Sequence, residues 1–156
     1  MGVLYGLAEA IYSNLIREDR YMLMVKGLGT TLQITVYALL MGIAIGLVVA
    51  MLRVMKVKGL DKVAELYVHI IRGTPAVVQL VIIYYAILGS VSMPKVLVAS
   101  VAFAINSGAY VSELIRGGIL AVDRGQMEAA RSLGLSWAQA MRHVVMPQAI
   151  KNILPA

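Results

Sequence analysis

The chain has 156 residues, of which 60% are hydrophobic and 14% are charged, and its formal net charge is +6. Soluble domains are about 45–50% apolar and about 25% charged, so this composition predicts a membrane protein. The absence of cysteine excludes disulfide bridges, thiolate nucleophiles and cysteine-based zinc sites. The two histidines fall in no metal-ligand spacing and no catalytic constellation is present, so we expect neither a metal site nor an enzyme. In a membrane protein, the positive charge indicates topology rather than binding of nucleic acid.

Residues 1–27 precede the first long apolar run. Apolar residues recur there at helical spacing as far as Ile16, after which a cluster of charges follows. Glu9 interrupts the apolar pattern and no basic region precedes it, which argues against a cleaved signal peptide. The segment is predicted to be either a short amphipathic helix at the membrane surface or an ordered polar leader with no role.

The first predicted membrane span covers residues 28–52. No charge lies between Lys26 and Arg53. At about 1.5 Å per residue this helix is roughly 37 Å long, which is enough to cross a hydrocarbon core of about 30 Å with some tilt. Gly42 and Gly46 form a GxxxG pattern, for which ordinary packing against another helix is the favoured explanation.

Two further spans are predicted at residues 75–92 and 96–115, because both segments have long uncharged runs. Residues 60–71 carry their apolar side chains on one face, which predicts a helix along the membrane interface. Thr74 as N-cap and Pro75 as the first helical residue predict the start of the second span.

Basic residues are concentrated on one side of these three spans. Ten of the fourteen lie between the first and second spans or after the third, namely Arg53, Lys56, Lys58, Lys62, Arg72, Arg116, Arg124, Arg131, Arg142 and Lys151. Because basic residues collect on the cytoplasmic side, the N-terminus is predicted to lie outside and residues 113–151 inside.

Residues 124–147 predict a soluble helix–turn–helix on that cytoplasmic side. Asp123 is the predicted N-cap of its first helix, with Gln126 as its capping-box partner. Glu128 and Arg131 are three residues apart on this helix, so they can pair at its surface.

Gly134 is predicted to end the first helix, because glycine enters the left-handed conformation without a steric penalty. Ser136 and Gln139 predict a capping box at the start of the second helix. Pro147 is expected to terminate or kink that helix. The apolar stripe of the second helix consists of Trp137, Met141, Val144 and Val145. This stripe packs either on the chain's own membrane helices or in the groove of a partner, and the physical argument alone favours its own helices.

Three motifs in this chain resemble those of ABC-importer permeases. The segment 124–147 is similar to their EAA loop, matching at Glu128, Ala129, Ala130, Gly134, Val144, Met146 and Pro147, with Val-x-Met-Pro where the family more often has Ile-x-Leu-Pro. The polar amino-acid permeases carry a signature similar to Arg72-Gly73-Thr74-Pro75 with Val78-Gln79-Leu80 and Tyr84. Their AYxxExxRGG segment resembles Ala109-Tyr110-Val111 with Glu113 and Arg116-Gly117-Gly118. The three motifs lie within residues 28–156 in the family's order and spacing.

The resemblance implies an all-α, polytopic helix bundle in the bacterial inner membrane, with the N-terminal segment in the periplasm. It implies a dimer with a second permease copy or a homologue, a periplasmic binding protein that delivers a polar amino acid, and a cytoplasmic ATPase. The chain has no G-x-x-x-x-G-K-[ST] motif, so ATP and Mg²⁺ are expected on that ATPase and no cofactor is expected here. The EAA loop would then supply a helix that couples to the ATPase.

The resemblance and the residue types together give two sets of candidate site residues. The coupling set is Glu128, Ala129, Ala130, Gly134, Trp137, Met141 and Pro147. Within it, Glu128 is either a loop anchor or a solvated charge, and Trp137 and Met141 either contact the ATPase or pack in the bundle.

The candidate translocation path is Asn106, Ser107, Tyr110 and Glu113, because polar groups at membrane depth usually face a cavity or another helix. Hydrogen bonding between helices is the favoured alternative for Asn106 and Ser107. An ion pair with Arg116 is the favoured alternative for Glu113. Arg72 is expected to extend its charge to the interface and orient the second span.

Permeases of this family typically have five spans, whereas this sequence predicts three complete spans and the start of a fourth from residue 149. The expectation is therefore either a fragment of a transporting permease or a truncated subunit that binds an ATPase or partner permease without transporting.

Overall fold

The computed structural model describes residues 5–6, 9–10, 12–16, 19–87 and 92–155, apart from the side chains of residues 14 and 15. All regular elements in this part are helical, and the predicted all-α class is confirmed. The helices are α1 (Tyr21–Val54), α2 (Leu60–Gly73), α3 (Ala76–Val81), α4 (Lys95–Leu120), α5 (Arg124–Ser132), α6 (Trp137–Ala140) and α7 (Met146–Ile153). Three π-helical segments accompany them: Tyr12–Ile16 near the N-terminus, Ile82–Ile87 after α3, and Met141–Val145 between α6 and α7.

Within the described residues, two helices, α1 and α4, are each long and apolar enough to cross a membrane. Helix α2 and the segment Ala76–Ile87 pass the same test only as a pair, and they are bent by 110° relative to each other. The twelve residues of Ala76–Ile87 extend about 18 Å at about 1.5 Å per residue, which is short of a hydrocarbon core of about 30 Å. The predicted count of three complete spans is therefore not confirmed, and residues 88–91 of the predicted second span lie outside the described residues.

Helices α1 and α4 pack through small residues spaced four apart. The buried residues of α1 are Ala38, Gly42, Gly46 and Ala50, and those of α4 include Ser100, Ala104, Gly108 and Ser112. A Cβ atom added at Gly46 would lie 2.6 Å from Cγ1 of Val111, and one added at Gly108 would lie 2.7 Å from Cγ2 of Ile45. The GxxxG pattern therefore serves close helix packing, as predicted.

The junction of α2 and α3 differs by one residue from the sequence prediction. Pro75, with ψ of 134°, is the N-cap, and α3 begins at Ala76. Thr74 is the C-cap of α2, and its hydroxyl donates to the Ile70 carbonyl at 2.9 Å. The predicted N-cap role of Thr74 is wrong because its side chain closes the preceding helix instead.

The second half of the predicted cytoplasmic loop packs beneath the ends of α1 and α4. The buried cluster there consists of Ile119, Val122, Met141, Val145 and Ala149, against which Met51 and Val54 of α1 also pack. The chain remains helical through Pro147, which lies in the first turn of α7 after the π-helical segment. Pro147 therefore does not terminate the helix, because the first helical turn tolerates a residue without an N–H.

Candidate functional site

The turn at Gly134 joins α5 to α6 and is the best-defined feature of the predicted coupling loop. The Gly134 N–H donates to the Arg131 carbonyl at 3.0 Å, and the Leu135 N–H donates to the Ala130 carbonyl at 3.3 Å. This pair of bonds is a Schellman motif, which satisfies carbonyls at the end of α5. The φ angle of Gly134 is +87°, and a Cβ atom there would meet nothing within 4 Å. Glycine is therefore favoured here by the backbone conformation and not by lack of space.

The two helix starts in this loop are capped differently. At α6 the predicted capping box forms: Gln139 N–H donates to Ser136 Oγ at 3.3 Å, and Ser136 N–H donates to Gln139 Oε1 at 2.8 Å. At α5, Asp123 Oδ1 accepts from the Gly125 N–H at 2.7 Å. Gln126 is not its capping-box partner, because Gln126 Oε1 accepts from Gln148 of α7 at 3.3 Å.

The predicted coupling residues divide between the inner and outer faces of the loop. Met141 and Ala130 are 6% and 4% exposed, and Trp137 packs against the same cluster as Met141. Glu128, Ala129, Gly134 and Pro147 are exposed. Met141 and Trp137 therefore pack onto the chain's own helices.

Leu133 is the residue of this loop that sequence reasoning missed. It is the C-cap of α5, next to the Gly134 turn, and it is 84% exposed. The sequence did contain a signal for this exposed side chain, namely a large apolar residue directly before the glycine that ends the helix. Glu128 is exposed nearby, and within the described part of the chain it forms no ion pair with Arg131.

A cluster of four charged residues joins three helices at one end of the bundle. Glu113 of α4 forms ion pairs with Arg53 of α1 and with Arg116 of α4, whose Nη2 lies 2.8 Å from Glu113 Oε2. Arg72, in the last turn of α2, places Nη1 3.7 Å from the same oxygen. The predicted ion pair between Glu113 and Arg116 is present. The sequence did not predict the second ion pair, with Arg53, which is sixty residues from Glu113.

Gln79 occupies the bend between α2 and α3 and is 7% exposed. Its Nε2 donates to the Ile71 carbonyl at 2.5 Å and to the Thr74 carbonyl at 2.9 Å. Its Oε1 accepts from Asn106 Nδ2 of α4 at 2.8 Å. Gln79 thus connects both sides of the bend to α4. The hydrogen bond of Asn106 joins two helices, which is the alternative that the sequence favoured over a role in the path.

The other two path candidates lie in different surroundings. Ser107 Oγ donates to the Ala104 carbonyl at 3.4 Å and lies over Gly42 of α1. Tyr110 is 46% exposed, and the Arg72 guanidinium carbon lies 5.5 Å from its ring centre. Asn106 and Ser107 line a groove of about 510 Å³ with Thr31 and Thr35 of α1, whereas Tyr110 and Glu113 border a separate cavity of about 460 Å³.

Residues 42–156 match the family described as binding-protein-dependent transport system inner membrane component. This is most of the chain, so the chain belongs to that family. Together with the apolar helices α1 and α4, this makes it a bacterial membrane protein.

Named relatives define the kind of transporter that this chain resembles. It is 42% identical over 141 residues to a putative glutamine transport system permease protein GlnP of Rickettsia bellii, covering 89% of this chain and 65% of the relative. It is 40% identical over 133 residues to the arginine transport system permease protein ArtQ of Bacillus subtilis, covering 84% of this chain and 61% of the relative. The chain therefore spans just under two thirds of the length of these relatives.

A solved structure of an amino acid ABC transporter with histidines has the same fold over the shared region. The TM-score is 0.71 at 46% sequence identity, and the match covers 86% of this chain and 66% of that one.

Proposed function

We propose that this chain is the membrane subunit of an ATP-driven importer for polar amino acids, and that residues 124–147 couple it to a separate cytoplasmic ATPase. Family membership and the names of the relatives support transport of amino acids. The observation that carries the coupling role is the Gly134 turn, which presents an exposed tip while the underside of the loop packs on the spanning helices.

The packing beneath the loop gives a physical route for coupling. Met141 and Val145 lie in one cluster with Ile119 of α4, and Met51 of α1 packs against that cluster. A force applied at the tip is therefore transmitted to both spanning helices through close-packed side chains, which have low compressibility. Among the exposed residues of the tip, Leu133 is suited to enter an apolar pocket of a partner.

The proposed importer contains three further kinds of subunit: a second permease, a binding protein and the ATPase. The chain would pair with a second permease copy or a homologue, and a periplasmic binding protein would deliver the amino acid. ATP and Mg²⁺ would bind the ATPase, because this chain carries no phosphate-binding loop motif. The chain would lie in the inner membrane with its N-terminus in the periplasm, since ten of its fourteen basic residues then face the cytoplasm.

The candidate path of this importer is the groove that contains Asn106 and Ser107. Polar side chains at membrane depth are retained where they face a cavity or a partner, and this groove is lined by Thr31, Thr35, Asn106 and Ser107. Glu113 is engaged by three arginines, so its proposed part is to hold helix ends together beside the path.

Two substitutions at Gly134 test the coupling role. Valine in a left-handed conformation costs about 1–2 kcal/mol or more, whereas asparagine tolerates that conformation. With the ATPase co-expressed, we expect Gly134→Val to lower both ATPase co-purification and substrate-stimulated ATP hydrolysis, and Gly134→Asn to retain most of both. Gly134→Val with wild-type association and hydrolysis would refute the coupling role.

A second comparison tests the contact at the tip. Leu133→Ser removes an 84% exposed apolar side chain from the turn, and Leu154→Ser removes one that is 78% exposed outside the loop. We expect only Leu133→Ser to weaken ATPase co-purification. Equal co-purification of both variants would exclude Leu133 as a contact.

A further inference from the structure

A cavity of about 560 Å³ lies against the charged cluster at one end of the bundle. We call it the arginine cavity. Its charged and polar lining consists of Arg53, Glu65, His69, Arg72, Glu113 and Arg116. Three guanidinium groups from three different helices therefore border one space.

The arginine cavity lies at the boundary between the apolar interior of the membrane and water. Arg53 is the first charged residue after the long apolar run of α1, and Glu113 is the first after that of α4. The two side chains form an ion pair, so the apolar runs of both helices end at the same depth. The phosphate groups of phospholipids lie just outside that depth.

The three arginines carry more positive charge than the two glutamates of the cavity neutralise, and more N–H donors than the described residues accept. Three arginines and two glutamates give the cavity walls a formal charge of +1. The Glu113 Oε2 atom nearest Arg72, at 3.7 Å, already accepts from Arg116 at 2.8 Å. A guanidinium has five N–H donors, the Arg72 side chain is 45% exposed, and its ion pair with Glu113 at 3.7 Å is its only polar contact within the described residues, so its donors remain available.

Arg72 is also held in position before any ligand binds. Its guanidinium lies over the Tyr110 ring at 5.5 Å from the ring centre, which fixes one face of the group. A planar guanidinium held in this way matches the paired oxygens of a phosphate with two parallel hydrogen bonds. Tyrosine is itself common at the level of lipid headgroups.

We propose that the arginine cavity binds the phosphodiester of an anionic phospholipid, with Arg72 as its principal donor. A headgroup with one net negative charge balances the +1 charge of the walls. A zwitterionic headgroup brings a cation that the arginines repel, so the cavity selects phosphatidylglycerol over phosphatidylcholine. This inference depends on the membrane location of the chain and not on the proposed transport activity.

The test compares lipid retention by the full chain purified in detergent and supplied with equal amounts of phosphatidylglycerol and phosphatidylcholine. Native mass spectrometry counts the bound lipids. We expect wild-type protein to retain phosphatidylglycerol preferentially. Because Arg72→Gln removes a charged donor of paired hydrogen bonds, it is expected to lower that retention about tenfold or more. Lys95→Gln, which removes one positive charge at the opposite end of α4, is the matched control and is expected to equal wild type.

Equal retention of the two lipids by wild-type protein, or equal retention of phosphatidylglycerol by wild type and Arg72→Gln, would overturn the proposal. Inorganic phosphate that displaces the lipid at equimolar concentration would also overturn it, by assigning the cavity to a soluble anion. If Arg72→Gln does not fold, Arg72→Lys keeps the charge but loses the paired donors. That variant is then expected to show an intermediate loss, and wild-type retention by it would contradict the role of Arg72.

Discussion

Glycine-to-alanine substitutions at Gly46 and Gly29 of α1 test how closely α1 and α4 pack. Gly46 faces α4, whereas a Cβ atom at Gly29 would have no neighbour within 4 Å. A Cβ atom at Gly46 would lie 2.6 Å from Val111 Cγ1, 2.7 Å from Val111 Cβ and 3.1 Å from the Gly108 carbonyl oxygen. Ordinary contacts between carbon atoms begin near 3.5 Å, so α1 and α4 must separate by several tenths of an ångström. Overpacking of this kind costs about 1–3 kcal/mol.

Gly29→Ala supplies the matched control, because a Cβ atom there meets nothing within 4 Å. Replacing glycine by alanine in a helix is otherwise favourable by about 0.8–1.0 kcal/mol. Gly29→Ala is therefore expected to be neutral or stabilising. Gly46→Ala is expected to be less stable than Gly29→Ala by about 1–3 kcal/mol, since the two share the propensity gain and differ in the overpacking.

The assay is reversible unfolding in mixed micelles, followed by circular dichroism and repeated with Val111→Ala. Val111→Ala removes the Cγ1 atom that the new methyl group meets, so it should recover part of the loss in the Gly46→Ala background. Equal stability of Gly46→Ala and Gly29→Ala would refute the close approach of α1 and α4. Strict additivity of Gly46→Ala and Val111→Ala would refute their contact.

Three further predictions concern polar side chains, and each is measured by the same unfolding assay. Glu113→Gln leaves three arginines without their shared carboxylate and is expected to destabilise the protein by about 1–3 kcal/mol, below the value for a fully buried pair because the side chain is 19% exposed. Glu128 is exposed and forms no ion pair within the described residues, so Glu128→Gln should change stability little, and equal effects of the two substitutions would contradict the cluster. Gln79→Leu and Asn106→Leu should show a coupling energy of about 0.5–3 kcal/mol in a double-mutant cycle, whereas a value of zero would exclude their hydrogen bond. Ser136→Ala should lose about 0.5–2 kcal/mol with the capping box, and no loss would show that α6 starts without it.

Local signals in the sequence predicted local structure well. Gly134 ends α5 with a positive φ, and Ser136 and Gln139 form their capping box, because the groups that bond in each motif lie within five residues of one another. The same logic was wrong where a distant partner competed for a side chain. Gln126 bonds to Gln148 of α7 and not to the start of its own helix.

In the candidate site, too, contacts between residues close in sequence were predicted and contacts between distant residues were not. The spacing of Glu113 and Arg116 was enough to predict their ion pair, which is three residues apart on one helix. Arg53 reaches the same carboxylate from sixty residues away, and no pattern in the sequence specifies that pairing. Met141 was assigned to an apolar stripe, but which surface covers the stripe depends on the ends of α1 and α4.

Apolar run length, charge distribution and helix caps are local properties of the chain, so they were enough to predict a helical membrane protein with a helix–turn–helix at residues 124–147. Three features emerge only from the three-dimensional arrangement: the 110° bend between α2 and α3, the hydrogen bond of Gln79 to Asn106, and the convergence of three arginines on Glu113. The last two depend on helices that are far apart in sequence, and α1 and α4 come into contact through their small residues.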